Sequence, residues 1–66
     1  MAGAIQIFTL NAETFPESAN VWDSLAEAHM KAGDTDLAET YYQKSLDLDP
    51  NNDNARAMLK KLKEGG

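Results

Sequence analysis

The feature that most constrains the fold of this chain is an internal period of 34 residues. A shift by that length places Pro16 on Pro50 and Phe8 on Tyr42. The same shift aligns four further pairs of like or apolar residues: Ala4 with Ala38, Asn20 with Asn54, Leu25 with Leu59, and Ala28 with Leu62. A period of this size is typical of a short structural unit that buries its apolar side by stacking on its neighbours. With 66 residues, the chain has room for one whole unit between two halves.

The central stretch from Trp22 to Pro50 predicts two amphipathic helices folded back on each other. In the first, the i, i+3, i+4, i+7 spacing of one helix face is occupied by Trp22, Leu25, Ala26 and His29. In the second, the face is marked by Leu37, Ala38, Tyr41, Tyr42, Ser45, Leu46 and Leu48. Gly33 is expected to end the first helix in the left-handed conformation, and Pro50 to stop the second. Ser18 and Asp34 are the expected N-caps.

The N-terminal stretch, residues 2–15, predicts a helix whose apolar surface is wider than one partner can cover. One side carries Ile5, Phe8, Ala12 and Phe15, and Ala4, Ile7 and Leu10 widen it. At about 100° per residue, the apolar arc exceeds the usual stripe of a surface helix. We therefore expect either a missing neighbour or self-association, most simply a domain-swapped or end-to-end dimer. The self-association surface would consist of Ile5, Ile7, Phe8, Leu10 and Phe15.

Pro50 is followed by a turn rich in asparagine and a last helix predicted over residues 55–63. Its apolar face carries Ala55, Met58, Leu59 and Leu62. Four of the six basic residues of the chain lie on this helix: Arg56, Lys60, Lys61 and Lys63. This basic cluster is either a solvated helix face or a surface that pairs with acidic groups elsewhere.

Composition excludes several functional classes. The formal net charge is −5, which argues against a nucleic-acid partner because phosphates require clustered Lys and Arg. The chain has no cysteine, so neither a disulfide nor a thiolate metal site is expected. No apolar run reaches the length of a membrane span, and we expect neither a secretion signal nor a membrane partner.

The sequence resembles the tetratricopeptide repeat (TPR) family, whose repeating unit has the same length as the internal period of this chain. The family's marks fall on Trp22, Leu25, Ala26, Gly33, Ala38, Tyr42 and Pro50. His29 and Ser45 depart from the usual aromatic residue and alanine. The resemblance implies an all-α fold, a single domain (1–66) of four antiparallel helices in right-handed, TPR-like stacking. Its parts would be a preceding half repeat (2–15), a full repeat (19–52) and a capping helix (53–64).

A finer similarity concerns the string that begins at Phe8. It looks like the C-terminal repeat tail of some bacterial serine hydrolases of the β-lactamase-like or esterase type. Under that interpretation the chain is a structural C-terminal cap or appendage of a larger enzyme. The nucleophile motifs of those enzymes, S-x-x-K and G-x-S-x-G, are absent from these residues.

No catalytic, cofactor or metal site is predicted, and the chain is not expected to be an enzyme. His29 is the only histidine and is interpreted as a packed residue. Asp47, Asp49 and Asp53 have the alternating spacing of calcium ligands, but the glycine and closing glutamate of a calcium loop are missing. Tyr42 is interpreted as interior and Tyr41 as a flanking residue.

The resemblance implies a function in protein–protein interaction, with a concave face formed by the first helix of the full repeat. The positions on that face are Asn20, Asp23, Ser24, Glu27, Met30 and Lys31. Asp23 and Glu27 would repel a carboxylate, so a basic or apolar protein segment is the expected guest. An equally open interpretation is that these residues are merely solvated.

Overall fold

The computed structural model describes residues 2–65, with side chains described for residues 5–64. It contains the helices α1 (Ala2–Thr14), α2 (Ala19–Lys31), α3 (Thr35–Leu48) and α4 (Asp53–Gly65). No strand occurs among the described residues, which confirms the all-α prediction. α4 begins before Ala55, the residue at which the apolar pattern of this helix starts. Its start lies earlier because the Asn52 side chain accepts the backbone N–H of Ala55 at 3.2 Å, which makes Asn52 the cap.

Helices adjacent in sequence are also adjacent in space. α1 packs on α2, α2 on α3, and α3 on α4. The Cα atoms span 30 × 25 × 13 Å, and the smallest dimension matches two layers of helices with axes about 8–10 Å apart. None of the helices formed by residues 2–65 is long and apolar enough to cross a membrane.

The core combines small residues with a few large ones. One cluster joins α2, α3 and α4 and consists of Ala26, Ala38, Tyr42, Ala55 and Leu59. Alanines at three helix contacts allow the backbones to approach closely, and Tyr42, only 1% exposed, fills the space that remains. Partly buried Met30, Leu46, Met58 and Leu62 pack against the same cluster.

The turn between α2 and α3 has the geometry of a Schellman motif. Gly33 has φ 87°, as predicted, and Ala32 is the C-cap. The backbone N–H of Asp34 donates to His29 O at 2.9 Å, and that of Gly33 donates to Met30 O at 3.1 Å. These two bonds satisfy carbonyls at the end of α2 that would otherwise lack partners.

The predicted N-caps have the expected positions but not the expected bonds. Ser18 precedes α2 and Asp34 precedes α3, yet neither side chain makes a capping hydrogen bond. The α1–α2 turn is held instead by the indole of Trp22, whose Nε1 donates to Pro16 O at 2.8 Å. Trp22 also stacks on Tyr41 with ring centroids 5.7 Å apart, and Nζ of Lys44 lies 5.7 Å from the Trp22 ring.

Candidate interaction surfaces

The first candidate surface is the side of α1 that faces away from α2. Ala12 is 1% exposed, whereas Ile7 and Leu10 are 61% and 62% exposed. At about 100° per residue, Ile7 and Leu10 lie on the side of the helix opposite to Phe8 and Ala12. α2 thus covers one side of α1 and leaves a second apolar side uncovered.

The internal period identifies what kind of surface this is. A shift of 34 residues places Ile7 on Tyr41 and Leu10 on Lys44. In α3 those two side chains contact the ring of Trp22 on α2. The exposed side of α1 therefore corresponds to the side by which α3 packs on the helix that precedes it.

Phe15 is an exposed apolar residue just beyond the end of α1. Its side chain is 59% exposed, and its backbone N–H still donates to Asn11 O at 2.8 Å. It lies in the α1–α2 turn and helps to line a shallow depression of about 420 Å³. Of the five residues predicted for self-association, Ile7, Leu10 and Phe15 are exposed, whereas Ile5 and Phe8 are half-buried.

The second candidate surface is a cleft between α2 and α4 with a volume of about 310 Å³. The cleft is lined by Glu27, Met30, Lys31, Tyr42, Asn54 and Met58. Three of these residues, Glu27, Met30 and Lys31, belong to the predicted concave face. Nζ of Lys31 lies 3.1 Å from Oε1 of Glu27, one turn apart on α2. The cleft therefore combines two methionines with a solvent-exposed ion pair.

Asp23, another predicted concave residue, is committed to contacts within the chain. Its carboxylate accepts hydrogen bonds from Nδ2 of Asn52 at 2.9 Å and from Nδ2 of Asn54 at 3.2 Å. Nδ2 of Asn52 also donates to Oγ of the fully buried Ser45 at 2.8 Å, and that hydroxyl donates to Ala19 O at 2.8 Å. This polar network ties α2 to α3 and to the start of α4. Asn20 is exposed and Ser24 half-buried, and neither lines the cleft.

The two acidic residues of the predicted concave face affect the buried phenol of Tyr42. Burial raises the pKa of Tyr42 to about 12, and the nearby carboxylates of Asp23 and Glu27 act in the same direction. A neutral phenol beneath two carboxylates is the favourable arrangement, because a phenolate there would be desolvated and repelled.

Sequence reasoning missed Asn52, Asn54 and Met58 as parts of these surfaces. The period aligns Asn54 with Asn20, which shows that asparagine is repeated at this position. The period does not show that the Asn54 side chain faces Asp23. Ser45 was predicted to lie on the marked face of the second helix and was noted as a departure from alanine, but not as a hydrogen-bonding residue. Its buried hydroxyl donates to Ala19 O and accepts from Nδ2 of Asn52, a role that one-letter patterns do not show.

The described residues 2–65 contain no group of three His, Cys, Asp or Glu side chains placed to hold a metal ion. The three aspartates considered as calcium ligands each have another partner. Asp47 accepts from Gln43, Asp49 from the backbone N–H of Asn51, and Asp53 from Arg56. His29 packs beside Tyr41 at 5.3 Å, and its side chain is 12% exposed.

Comparison with known families gives the identity of the fold. A family model described as Tetratricopeptide repeat matches residues 19–52, more than half of the chain. The chain therefore belongs to the tetratricopeptide repeat family. Repeats of this family generally mediate protein–protein interactions, and the family is typically non-enzymatic. Searches of curated proteins and of solved structures gave no match.

Proposed function

We propose that this protein is an interaction module that associates with a second copy of itself through α1. The observation that carries the proposal is the exposure of Ile7 and Leu10, each more than 60%, on one side of a helix. Phe15, in the α1–α2 turn, is a third exposed large apolar side chain. Contiguous apolar patches of this kind mark sites of interaction.

The distribution of charge supports a second copy as the partner. Residues 1–12 contain no charged side chain, although the chain as a whole carries −5. Two acidic copies repel each other over most of their surfaces, and α1 is where they can approach without bringing carboxylates together. Hydrophobic contact is therefore least opposed at α1.

The expected affinity is modest. A helix of 13 residues is about 20 Å long, so one face buries less than the ~800 Å² per partner of a standard interface. Covering each exposed apolar side chain contributes on the order of 1–2 kcal/mol. Association costs roughly 4–15 kcal/mol, which is of the same size as this gain, so a dimer formed in this way is weak.

Sedimentation equilibrium across micromolar to millimolar concentrations tests this proposal. Leu10→Glu should abolish association, because a carboxylate would have to be buried at the contact. Leu37→Glu is the matched control, since it makes the same change at the 38%-exposed Leu37 of α3 and should leave association intact. Circular dichroism should show both variants helical. A wild-type chain that stays monomeric up to millimolar concentration would contradict the proposal.

The α2–α4 cleft is proposed as a second contact site, for a basic or apolar protein segment. Met30 and Met58 supply adaptable apolar surface, and Glu27 supplies the acidic group. Glu27→Lys should weaken binding of a lysine-rich amphipathic peptide. Binding is measured by the change in Trp22 fluorescence as the peptide is added. Asp23 is unsuitable for this test because its carboxylate holds the α3–α4 turn.

The alternative function, a structural cap or appendage of a larger enzyme such as a serine hydrolase, is favoured by one observation. The exposed residues of α4 include Arg56, Lys60 and Lys63, which give this end of the chain a polar surface. Terminal repeats with such a surface keep repeat proteins soluble. If capping is the whole function, Leu10→Glu should change neither sedimentation nor stability.

A further inference from the structure

We propose that self-association stops at two copies, with α1 of one copy packed antiparallel on α1 of the other and both α4 helices outside. This inference rests on the proposed function, since it specifies which surface meets which. The competing arrangement is head-to-tail. There, α4 of one copy would pair with α1 of the next, complete a repeat and continue into a chain of copies.

The two ends of the molecule differ in a way that the internal period makes visible. α4 corresponds to α2, so Trp22, Ala26 and His29 of α2 align with Arg56, Lys60 and Lys63 of α4. In α2, the rings of Trp22 and His29 contact Tyr41, and Ala26 is fully buried. The side of α4 that would receive a following helix therefore carries three cations in place of two rings and a methyl group.

Head-to-tail pairing would place those cations against the apolar side of α1. The residues of α1 that would meet them include Ile7, Leu10 and Asn11, none of which can neutralise a charge. The only acidic residue of α1 is Glu13, close to its C-terminal end. Burying unpaired ammonium and guanidinium groups is costly, so α4 does not complement α1.

Two α1 surfaces complement each other. Each presents Ile7 and Leu10 and no charged group between residues 5 and 12. An antiparallel arrangement also places the Glu13 and Glu17 side chains of the two copies at opposite ends of the contact, whereas a parallel one would bring all four together. Such a contact uses the same patch on both copies and leaves no second site for growth.

Single-cysteine variants of the full chain test the arrangement cleanly, because the chain has no cysteine of its own. Leu10→Cys should form a disulfide-linked homodimer with glutathione disulfide as the oxidant. Its rate of disulfide cross-linking should exceed that of Leu37→Cys by about tenfold or more. Leu37→Cys measures the background rate from random collisions. Arg56→Cys, which the internal period places opposite Leu10 in the head-to-tail arrangement, should cross-link no faster than background, either with itself or with Leu10→Cys.

Sedimentation of the unmodified chain separates failure of this inference from failure of the proposed function. We expect a single monomer–dimer equilibrium. Rapid heterodimers between the Leu10→Cys and Arg56→Cys variants, with growth of the unmodified chain beyond two copies, would overturn the antiparallel arrangement and leave self-association standing. A chain that remains monomeric with only background cross-linking would overturn both. The double variant Lys60→Glu, Lys63→Glu should dimerise like the wild type in about 0.3 M NaCl, where its added negative charge is screened, and loss of its dimer there would also overturn the inference.

Discussion

Asp23 lies on the face where a partner-binding carboxylate is expected, yet its two oxygens accept hydrogen bonds from the amides of Asn52 and Asn54. Glu27, one turn later, is paired only with the exposed Lys31. Two acidic residues that look equivalent in the sequence therefore have different roles. Asp23 supports the fold, and Glu27 is available at the cleft.

Truncation of these two side chains should separate the roles. Asp23→Ala removes the acceptor of two amides and should lower the free energy of unfolding by roughly 1–3 kcal/mol. Glu27→Ala removes a surface ion pair and should cost no more than about 0.5 kcal/mol. Urea unfolding followed by circular dichroism measures both. Equal losses in the two variants would show that the polar network does not hold α4.

Tyr42 makes stability depend on pH in the alkaline range. Its pKa is about 12 in the folded chain, against 10.0 for an unperturbed tyrosine, so the folded state retains the phenol proton longer. The contribution is fully present below pH 10 and is lost as pH rises toward 12, on the order of 1 kcal/mol by pH 11. Tyr42→Phe should flatten this part of the stability–pH curve. An unchanged slope in that variant would contradict the assignment to Tyr42.

At the scale of elements, the α2–α3 hairpin follows from local chemistry. Its Schellman turn needs a residue with positive φ, and Gly33 supplies it at 87°. A Cβ at this position would meet no atom within 4 Å, so any cost of substitution comes from the backbone conformation and not from a clash.

Gly33→Ala should therefore destabilise the protein by about 1 kcal/mol. Gly33→Asn is the matched control and should cost less, because asparagine tolerates the left-handed conformation better than alanine. Thermal unfolding of the three proteins at one concentration measures the order. If Asn proved as destabilising as Ala, strain at positive φ would not be the cause.

α1 shows where element-level prediction stops. Its existence and bounds followed from the sequence, and so did the excess of its apolar arc. The sequence did not show that the arc divides into a side covered by α2 and a side left open. That division depends on how α1 is rotated about its own axis relative to α2. Either of two apolar sides could pack there: the one with Ile5, Phe8 and Ala12, or the one with Ile7 and Leu10.

At the scale of the whole molecule, the net charge of −5 opposes the approach of two copies. Raising the ionic strength shortens the screening length, which is about 10 Å at 0.1 M. We therefore expect the dimer to tighten by at least about twofold between roughly 0.02 and 0.3 M NaCl. Sedimentation equilibrium at the two salt concentrations measures this, and Leu10→Glu should remain monomeric in both. Weaker association at high salt would instead indicate a contact between unlike charges, and would contradict the pairing of two uncharged α1 surfaces.

The sequence by itself determined the 34-residue unit, the helical hairpin, the glycine turn and the surplus of apolar surface on α1. Each of these depends on spacings within one or two helices, and such spacings can be read along the chain. The tertiary structure decided that Asp23 meets asparagines 29 and 31 residues away, that the hydroxyl of the buried Ser45 has two hydrogen-bond partners, and that Ile7 and Leu10 stay exposed. Those outcomes depend on how rigid helices are placed against one another, because hydrogen bonds require positions fixed to within a few tenths of an ångström.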